Sequence, residues 1–151
     1  MNTLKLGLFA ALFLAGSNNL IFANDLVYGL TRLTGAEISK TFSNVIDHAQ
    51  VQDKAKTRAT NLWLDNGKFT SEWSNDQSDG IVSGKWYVQE DQRCVIIKTG
   101  LQDLTGRPKC GPIYRQGDSY FSVNTDGSIH GIHRLSPLHE TEWAWRGPFK
   151  I

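Results

Sequence analysis

From Ala59 onward, the chain alternates short runs of β-forming residues with polar turns, and this pattern constrains the fold more than any other feature. Asp65-Asn66-Gly67 is the strongest turn signal, because Asn and Gly both accept the positive φ of a tight hairpin. Such runs between turns are typical of an antiparallel meander, and we count about seven strands before residue 145. The predicted strands cover 61–64, 69–74, 82–89, 93–98, 113–115, 119–123 and 128–135.

Alternation within these runs predicts a sheet with one buried face. In the run 82–89, apolar and polar residues alternate, so we expect one side to meet the core and the other to meet water. The apolar run Val95-Ile96-Ile97 predicts burial on both faces, and a long loop is expected over 99–109.

One amphipathic helix is predicted ahead of the sheet, over about 34–48. Thr34 and Glu37 have the spacing of a capping box. Apolar residues then follow helical spacing at Ile38, Phe42, Val45 and Ile46. The expected fold class is therefore α+β and mostly β, with the helix packed on an antiparallel meander sheet or plugging a partial barrel.

The first residues are typical of a cleaved secretory signal. Lys5 precedes a short apolar run over 6–16, and a more polar segment ends at Ala23. The run is too short to span a bilayer, which takes about 20 apolar residues. We therefore expect a signal peptide over 1–23, a single β-rich domain over 24–151, a periplasmic or secreted location, and no stable membrane anchor after cleavage.

The charge balance excludes two classes of partner. The chain has 16 Lys and Arg against 15 Asp and Glu. Nucleic-acid binders usually carry a strongly basic face, and polybasic membrane binding needs clustered cations. Neither nucleic acid nor a charged membrane surface is therefore an expected partner.

Cys94 and Cys110 are the two cysteines of the chain. An isolated pair in an oxidising compartment predicts a disulfide. A simple hairpin of 93–98 with 110–115 would, however, place the two Cα atoms beyond the disulfide limit of about 7 Å. Either the long loop folds back, or these two strands are not direct partners.

The spacing of several structural motifs resembles a family of short periplasmic proteobacterial proteins that is grouped as a domain of unknown function. The motifs are Trp63-x-x-x-Asn66-Gly67-x-Phe69, Gly84-Lys85-Trp86-x-Val88, the two cysteines, and Tyr114 ahead of Gly117-Asp118-x-Tyr120. The match spans about residues 33–135. The resemblance implies an initial helix opened by a Leu-Thr-x-x-Glu-like segment, a turn-rich sheet with Gly-x-Trp, and an exported protein, but no catalytic residues to transfer.

The sequence contains no motif that predicts catalysis, a cofactor or a metal. His130 and His133 are weak metal candidates, because positions three apart on a strand face opposite sides unless Gly131 marks a bulge. His139 completes this histidine cluster. The nearby serines lack a Gly-x-Ser-x-Gly elbow, so we expect a non-enzymatic protein without a cofactor.

Two sets of residues are candidates for binding. Arg107 and Lys109, in the predicted loop, are placed to meet an acidic partner, since long loops on a rigid sheet often carry recognition. Trp143 and Trp145 are either an exposed anchor or a lid of the core. The leading hypothesis is an exported accessory domain that binds a protein or envelope component. The alternatives are a carrier of haem, metal or a small apolar ligand, and an inhibitor of hydrolases.

Overall fold

The computed structural model describes residues 29–138, which form ten strands, one α-helix and one short 3-10 helix, Gln102–Leu104. The helix α1 covers Gly35–Thr41. The strands are β1 (Thr31–Arg32), β2 (Val45–Val51), β3 (Arg58–Trp63), β4 (Lys68–Ser74), β5 (Asp79–Gln89), β6 (Gln92–Thr99), β7 (Pro108–Gly111), β8 (Ile113–Gln116), β9 (Ser119–Val123) and β10 (Ile129–Pro137).

All ten strands belong to one antiparallel sheet in the order β1-β8-β9-β10-β2-β3-β4-β5-β6-β7, curled into a half-barrel. β7 lies at one end of this order and β8 near the other, yet Pro112 alone separates them in the chain. They are therefore two halves of one bent strand, of which the first pairs with β6 and the second with β9. This covalent link draws the two ends of the sheet towards each other.

The mostly β fold with an antiparallel sheet agrees with the prediction, but the count of about seven strands is wrong, since the described residues form ten. The predicted single strand 113–115 is the second half of the bent strand. Two additional strands lie ahead of residue 59, one before the predicted helix and one across its predicted end. These are β1 and β2.

The helix predicted over about 34–48 is wrong beyond Thr41. Asn44 has a φ of 57°, a left-handed conformation that Asn tolerates and that stops a helix. Its side chain accepts a hydrogen bond from the Asp65 amide at 3.1 Å. The β-branched residues that follow then form β2, where Val45, Asp47 and Ala49 share one face.

The core lies between α1 and the concave side of the sheet, which we call the inner face. Ile38 and Phe42 are completely buried there, against Trp63, Phe69 and Trp86. The Phe42 and Trp63 rings meet edge to face with centroids 6.2 Å apart. Burying side chains of this size stabilises the fold by about 1.5–3 kcal/mol each, so α1 is anchored by the side chains that it inserts.

Turns at the helix end of the sheet hold α1 in place. The capping box of Thr34 and Glu37 is formed, and the Asp91 carboxylate accepts the amide hydrogen of Gly35. Asp91 and Glu90 both have positive φ in the β5–β6 turn. At the predicted Asn66-Gly67 turn, Gly67 has a positive φ and donates to the Leu64 carbonyl at 3.0 Å, whereas Asn66 has no positive φ.

The disulfide between Cys94 and Cys110 is confirmed. The two residues are directly opposite each other on β6 and β7, with Cα atoms 4.0 Å apart. β7 begins at Pro108, earlier than predicted, so the two strands are direct partners and the loop is shorter than 99–109. A hairpin of β6 with a strand that begins at Pro108 places the two cysteines opposite each other, whereas a strand that begins at residue 110 would separate them.

Among residues 29–138, no helix is long and apolar enough to cross a membrane. The predicted signal peptide over 1–23 lies outside the described residues, as do His139, Trp143 and Trp145.

Candidate functional site

A groove of about 650 Å³ crosses the outer face of the sheet, opposite α1, from β10 to β5. This volume lies within the range of 300–1,000 Å³ that is usual for ligand sites. Two cross-strand rows line it, and we call this feature the outer groove. The first row is Arg134, His48, Thr60, Glu72 and Ile81, and the second is Ile132, Gln50, Arg58, Ser74 and Asp79.

The residues between these two rows form the floor of the outer groove. Ala49, Ala59 and Gly80 lie in register between the rows and place little or no side chain on the inner face. Trp73 lies between them, with its indole ring 3.1 Å from the position of a Cβ at Gly80.

Charge is divided along the outer groove. Arg134, His48 and Arg58 lie on β10, β2 and β3, whereas Glu72 and Asp79 lie on β4 and β5. Ile81 adds an apolar side chain at the acidic end and is 57% exposed. The groove therefore offers a basic end, an acidic end and a backbone floor, an arrangement that suits a ligand with charges of both signs.

A second group of polar residues lies on the inner face, buried beneath β10, β2 and β3. The Asp47 carboxylate is completely buried. It accepts hydrogen bonds from Asn61 Nδ2 and Trp63 Nε1, each at 3.0 Å, and lies 2.9 Å from His133 Nδ1. Asn61 is directly opposite Asp47 in the sheet, so the strand register itself supplies one donor.

His133 connects this carboxylate to a serine. Its Nε2 lies 2.9 Å from Ser122 Oγ, on the neighbouring strand β9. Ser122 Oγ also lies 3.5 Å from the Gly131 carbonyl. Because Asp47 is an acceptor, His133 Nδ1 carries a proton, and in the neutral ring Nε2 accepts from the serine hydroxyl. We call Asp47, His133 and Ser122 the inner triad.

Arg93 is the buried cation of the inner face. Its guanidinium carbon lies 4.5 Å from the ring centroids of both Phe42 and Trp63. Its Nη1 is buried and has no hydrogen-bond acceptor among the described residues. The two aromatic faces and the nearby charge of Asp47 are therefore what compensate for its burial.

Burial and charge shift the pKa values of these groups. Burial raises the pKa of Asp47, but the His133 hydrogen bond and charge, the Arg93 charge and the Trp63 bond outweigh it, so the pKa lies below its usual value. Burial lowers the pKa of Arg93 to about 10, against the opposing effect of Asp47. Asp47 and Arg93 are both ionised at neutral pH.

Arg107 and Lys109, two of the residues predicted for binding, belong neither to the lining of the outer groove nor to the inner triad. Arg107 is exposed in the β6–β7 loop, and Lys109 is exposed on β7 rather than in the loop. Lys109 lies close enough to His130 for its charge to act on that ring: burial lowers the pKa of His130, and the Lys109 charge lowers it further. Their predicted role in recognising an acidic partner stays a prediction, as does the role of Trp143 and Trp145.

The sequence offers His130 and His133 as weak metal candidates. The bulge that would let them approach each other is present, since the β9–β10 register shifts between Ile129 and Gly131. Both ring nitrogens of His133, however, are already hydrogen-bonded within the inner triad. Over the described part of the chain, no group of three or more His, Cys, Asp or Glu side chains is arranged to hold a metal ion.

Sequence reasoning missed both sites. The predicted helix over 34–48 includes Asp47, and the predicted strands 93–98 and 119–123 give no functional role to Arg93 or Ser122. The adjacent β-branched residues Val45 and Ile46 are a weak strand signal at the start of β2. No local signal connects Asp47 with His133, because they are 86 residues apart and meet through the strand order.

Comparisons with protein-family models, curated proteins and solved structures found no match. The resemblance to a periplasmic family of unknown function therefore stays a prediction.

Proposed function

We propose that this protein is an exported binding domain whose outer groove takes a short, extended peptide that carries charges of both signs. The observation that carries the proposal is the opposite charge of the two ends of a groove of about 650 Å³. Export is supported by the predicted signal peptide and by the disulfide, which is typical of an oxidising compartment.

The dimensions of the groove favour a peptide of about four residues. Neighbouring strands are about 4.8 Å apart, so the middle of the basic end and the middle of the acidic end are separated by about 12 Å. An extended chain spans about 3.3–3.6 Å per residue, so four residues cover this distance. The acidic group of the ligand would lie over Arg134 and Arg58, and its basic group near Asp79.

The outer groove is a better candidate than the inside of the half-barrel for this role. Ile38 and Phe42 from α1 and the aromatic side chains of the sheet fill the inner face, where a carrier would need space for an apolar ligand. On the outer face, the exposed Ile81 supplies apolar contact next to the charges.

Titration calorimetry with two capped tetrapeptides tests the proposal. We expect the purified protein to bind acetyl-Glu-Ala-Ala-Lys-amide at least about tenfold more tightly than acetyl-Gln-Ala-Ala-Gln-amide, and to lose this difference at high salt, where charges are screened within about 3 Å. The neutral peptide has similar length and shape, so the difference reports charge recognition.

Charge-reversal variants locate the binding site. Arg58→Glu and Arg134→Glu should each remove most of the preference for the charged peptide, because each would place a carboxylate under the ligand's acidic group. Lys85→Glu is the matched control: Lys85 is exposed on the outer face of β5, four residues beyond Ile81 and outside the groove lining. The proposal would be overturned if the parent protein bound the two peptides with equal affinity. It would also be overturned if Lys85→Glu removed the preference for the charged peptide as fully as the Arg58 and Arg134 variants.

A further inference from the structure

We propose that Ser122 is a reactive nucleophile, activated by His133 and Asp47, that accepts an acyl group from small esters. This activity is separate from ligand binding in the outer groove, which lies on the opposite face of the sheet. Its basis is the geometry of the inner triad: 2.9 Å from Ser122 Oγ to His133 Nε2, and 2.9 Å from His133 Nδ1 to Asp47 Oδ2.

The direction of the hydrogen bonds matches that of a serine activated by a general base. Asp47 already accepts from Asn61 and Trp63 and can only accept from His133. The ring therefore presents the lone pair of Nε2 to the serine hydroxyl. This is the relation of serine, histidine and aspartate that acyl-transfer enzymes on unrelated folds share.

Ser122 and His133 keep a small exposed fraction, whereas Asp47 has none. The exposed fraction falls from 8% for Ser122 to 5% for His133 and 0% for Asp47. A nucleophile needs contact with its substrate, whereas the carboxylate only has to orient and stabilise the ring. The limited exposure of Ser122 restricts the substrate to small molecules.

Gly131 lies directly beside the contact between Ser122 and His133. A Cβ at this position would lie 3.2 Å from Ser122 Oγ and 3.3 Å from His133 Nε2, and its next neighbour would be the Gln50 carbonyl oxygen at 3.7 Å. The first two distances are shorter than an ordinary van der Waals contact, so a methyl group at position 131 would crowd both the nucleophile and the base.

The reaction balances with these groups alone. Ser122 Oγ attacks the ester carbonyl carbon while its proton moves to His133 Nε2. The bond to the alkoxy group breaks, and the leaving oxygen takes that proton, giving acyl-Ser122 and a free alcohol. Water then releases the acyl group as a carboxylic acid. Since the site is nearly closed to solvent, we expect this second step to be slow and the acylated protein to accumulate.

Peptide mapping after treatment with methanesulfonyl fluoride tests the proposal on the unmodified protein. This reagent is small, and its sulfur–fluorine bond is broken by an activated serine hydroxyl. We expect one methanesulfonyl group per folded chain, carried by the peptide that contains Ser122, and none on that peptide in protein unfolded by urea. With para-nitrophenyl acetate, we expect a burst of about one nitrophenol per chain, followed by slow turnover.

Variants distinguish an activated Ser122 from the ordinary reactivity of surface hydroxyl groups. His133→Gln should lower the labelling rate of Ser122 about 100-fold, the usual contribution of a general base. Gly131→Ala should block labelling without changing any member of the inner triad. Asp47 is a positioning residue, so Asp47→Asn should lower the maximal labelling rate while the reagent concentration for half-maximal rate stays unchanged.

Ser78→Ala is the matched control, because Ser78 is exposed in the β4–β5 turn, and it should label at the same rate as the parent protein. Folding of each variant is checked by near-UV circular dichroism. Absence of the group from Ser122 in the folded parent protein would overturn the proposal. The proposal would also be overturned if Gly131→Ala and the parent protein were labelled at equal rates. This outcome can be read even if the His133 or Asp47 variant does not fold.

Discussion

At the scale of single residues, Asp47 is the buried carboxylate to which polar side chains of the inner face are hydrogen-bonded. A buried carboxylate is costly unless its oxygens are hydrogen-bonded, and here Asn61, Trp63 and His133 all donate to it. The nearby Arg93 charge balances it within an aromatic cage. One side chain thereby joins β2, β3 and β10.

Asp47→Asn is expected to lower the free energy of unfolding by about 3 kcal/mol, the usual cost of breaking a buried charge pair. The new amide brings its own donors towards Asn61 and Trp63 and leaves Arg93 without a counter-charge. Urea denaturation measures the effect. Asp118→Asn, at an exposed turn position, is the control and should be neutral; an equally small effect at position 47 would contradict this role.

The same carboxylate sets part of the acid sensitivity. The pKa of Asp47 is lower in the folded state than in the unfolded chain, where it is about 3.9. Its contribution to stability is therefore complete above pH 3.9 and is lost as pH falls through the lower folded pKa. We expect thermal melts between pH 5 and pH 2 to fall more steeply for the parent protein than for Asp47→Asn, and parallel curves would refute this.

At the scale of elements, turns and caps were predicted where their conformational requirement is local. The capping box of Thr34 and the turn at Gly67 both depend on a few neighbouring residues. The predicted end of the helix near residue 48 is wrong, because Val45 and Ile46 fit either a helical stripe or a strand. Pairing of β2 with β3 and β10 decides between them, and those partners lie far along the chain.

The β5–β6 turn carries strain that a substitution can relieve. Glu90 has a φ of 49°, which is unfavourable for a residue with a long side chain, whereas Asn tolerates it. We expect Glu90→Asn to raise the free energy of unfolding by about 0.5–1 kcal/mol, measured by urea denaturation. Gln89→Asn, one residue earlier in β5, should not raise the free energy of unfolding. If it raised that free energy by the same amount, the positive φ of Glu90 would not explain the effect.

At the scale of the whole molecule, the bent strand through Pro112 and the disulfide together determine the curl of the sheet. The disulfide joins β7 to β6, and the next residues of the chain pair with β9 at the other end of the strand order. The disulfide therefore fixes β7 to β6 beside the point where the chain crosses to the other end of the sheet.

Removing this disulfide is expected to cost about 3 kcal/mol, the chain-entropy value for a loop of this length. The double variant Cys94→Ala/Cys110→Ala should unfold at a lower urea concentration than the oxidised parent protein. Treating the parent protein with a reducing agent should give the same midpoint as the variant, and reduction should leave the variant itself unchanged. Equal midpoints for the oxidised protein and the variant would show that the link does not stabilise the fold.

The sequence by itself determined the mostly β class, the two-faced strand from Val82 to Gln89, the positions of several turns and the Cys94–Cys110 pair. These features follow from backbone preferences, side-chain periodicity and thiol chemistry, which act within a few residues or within one chemical class. The tertiary structure alone decided the strand order, and with it the outer groove and the inner triad. Asp47 and His133 are 86 residues apart, and they meet because long-range pairing places β10 beside β2, which no local preference specifies.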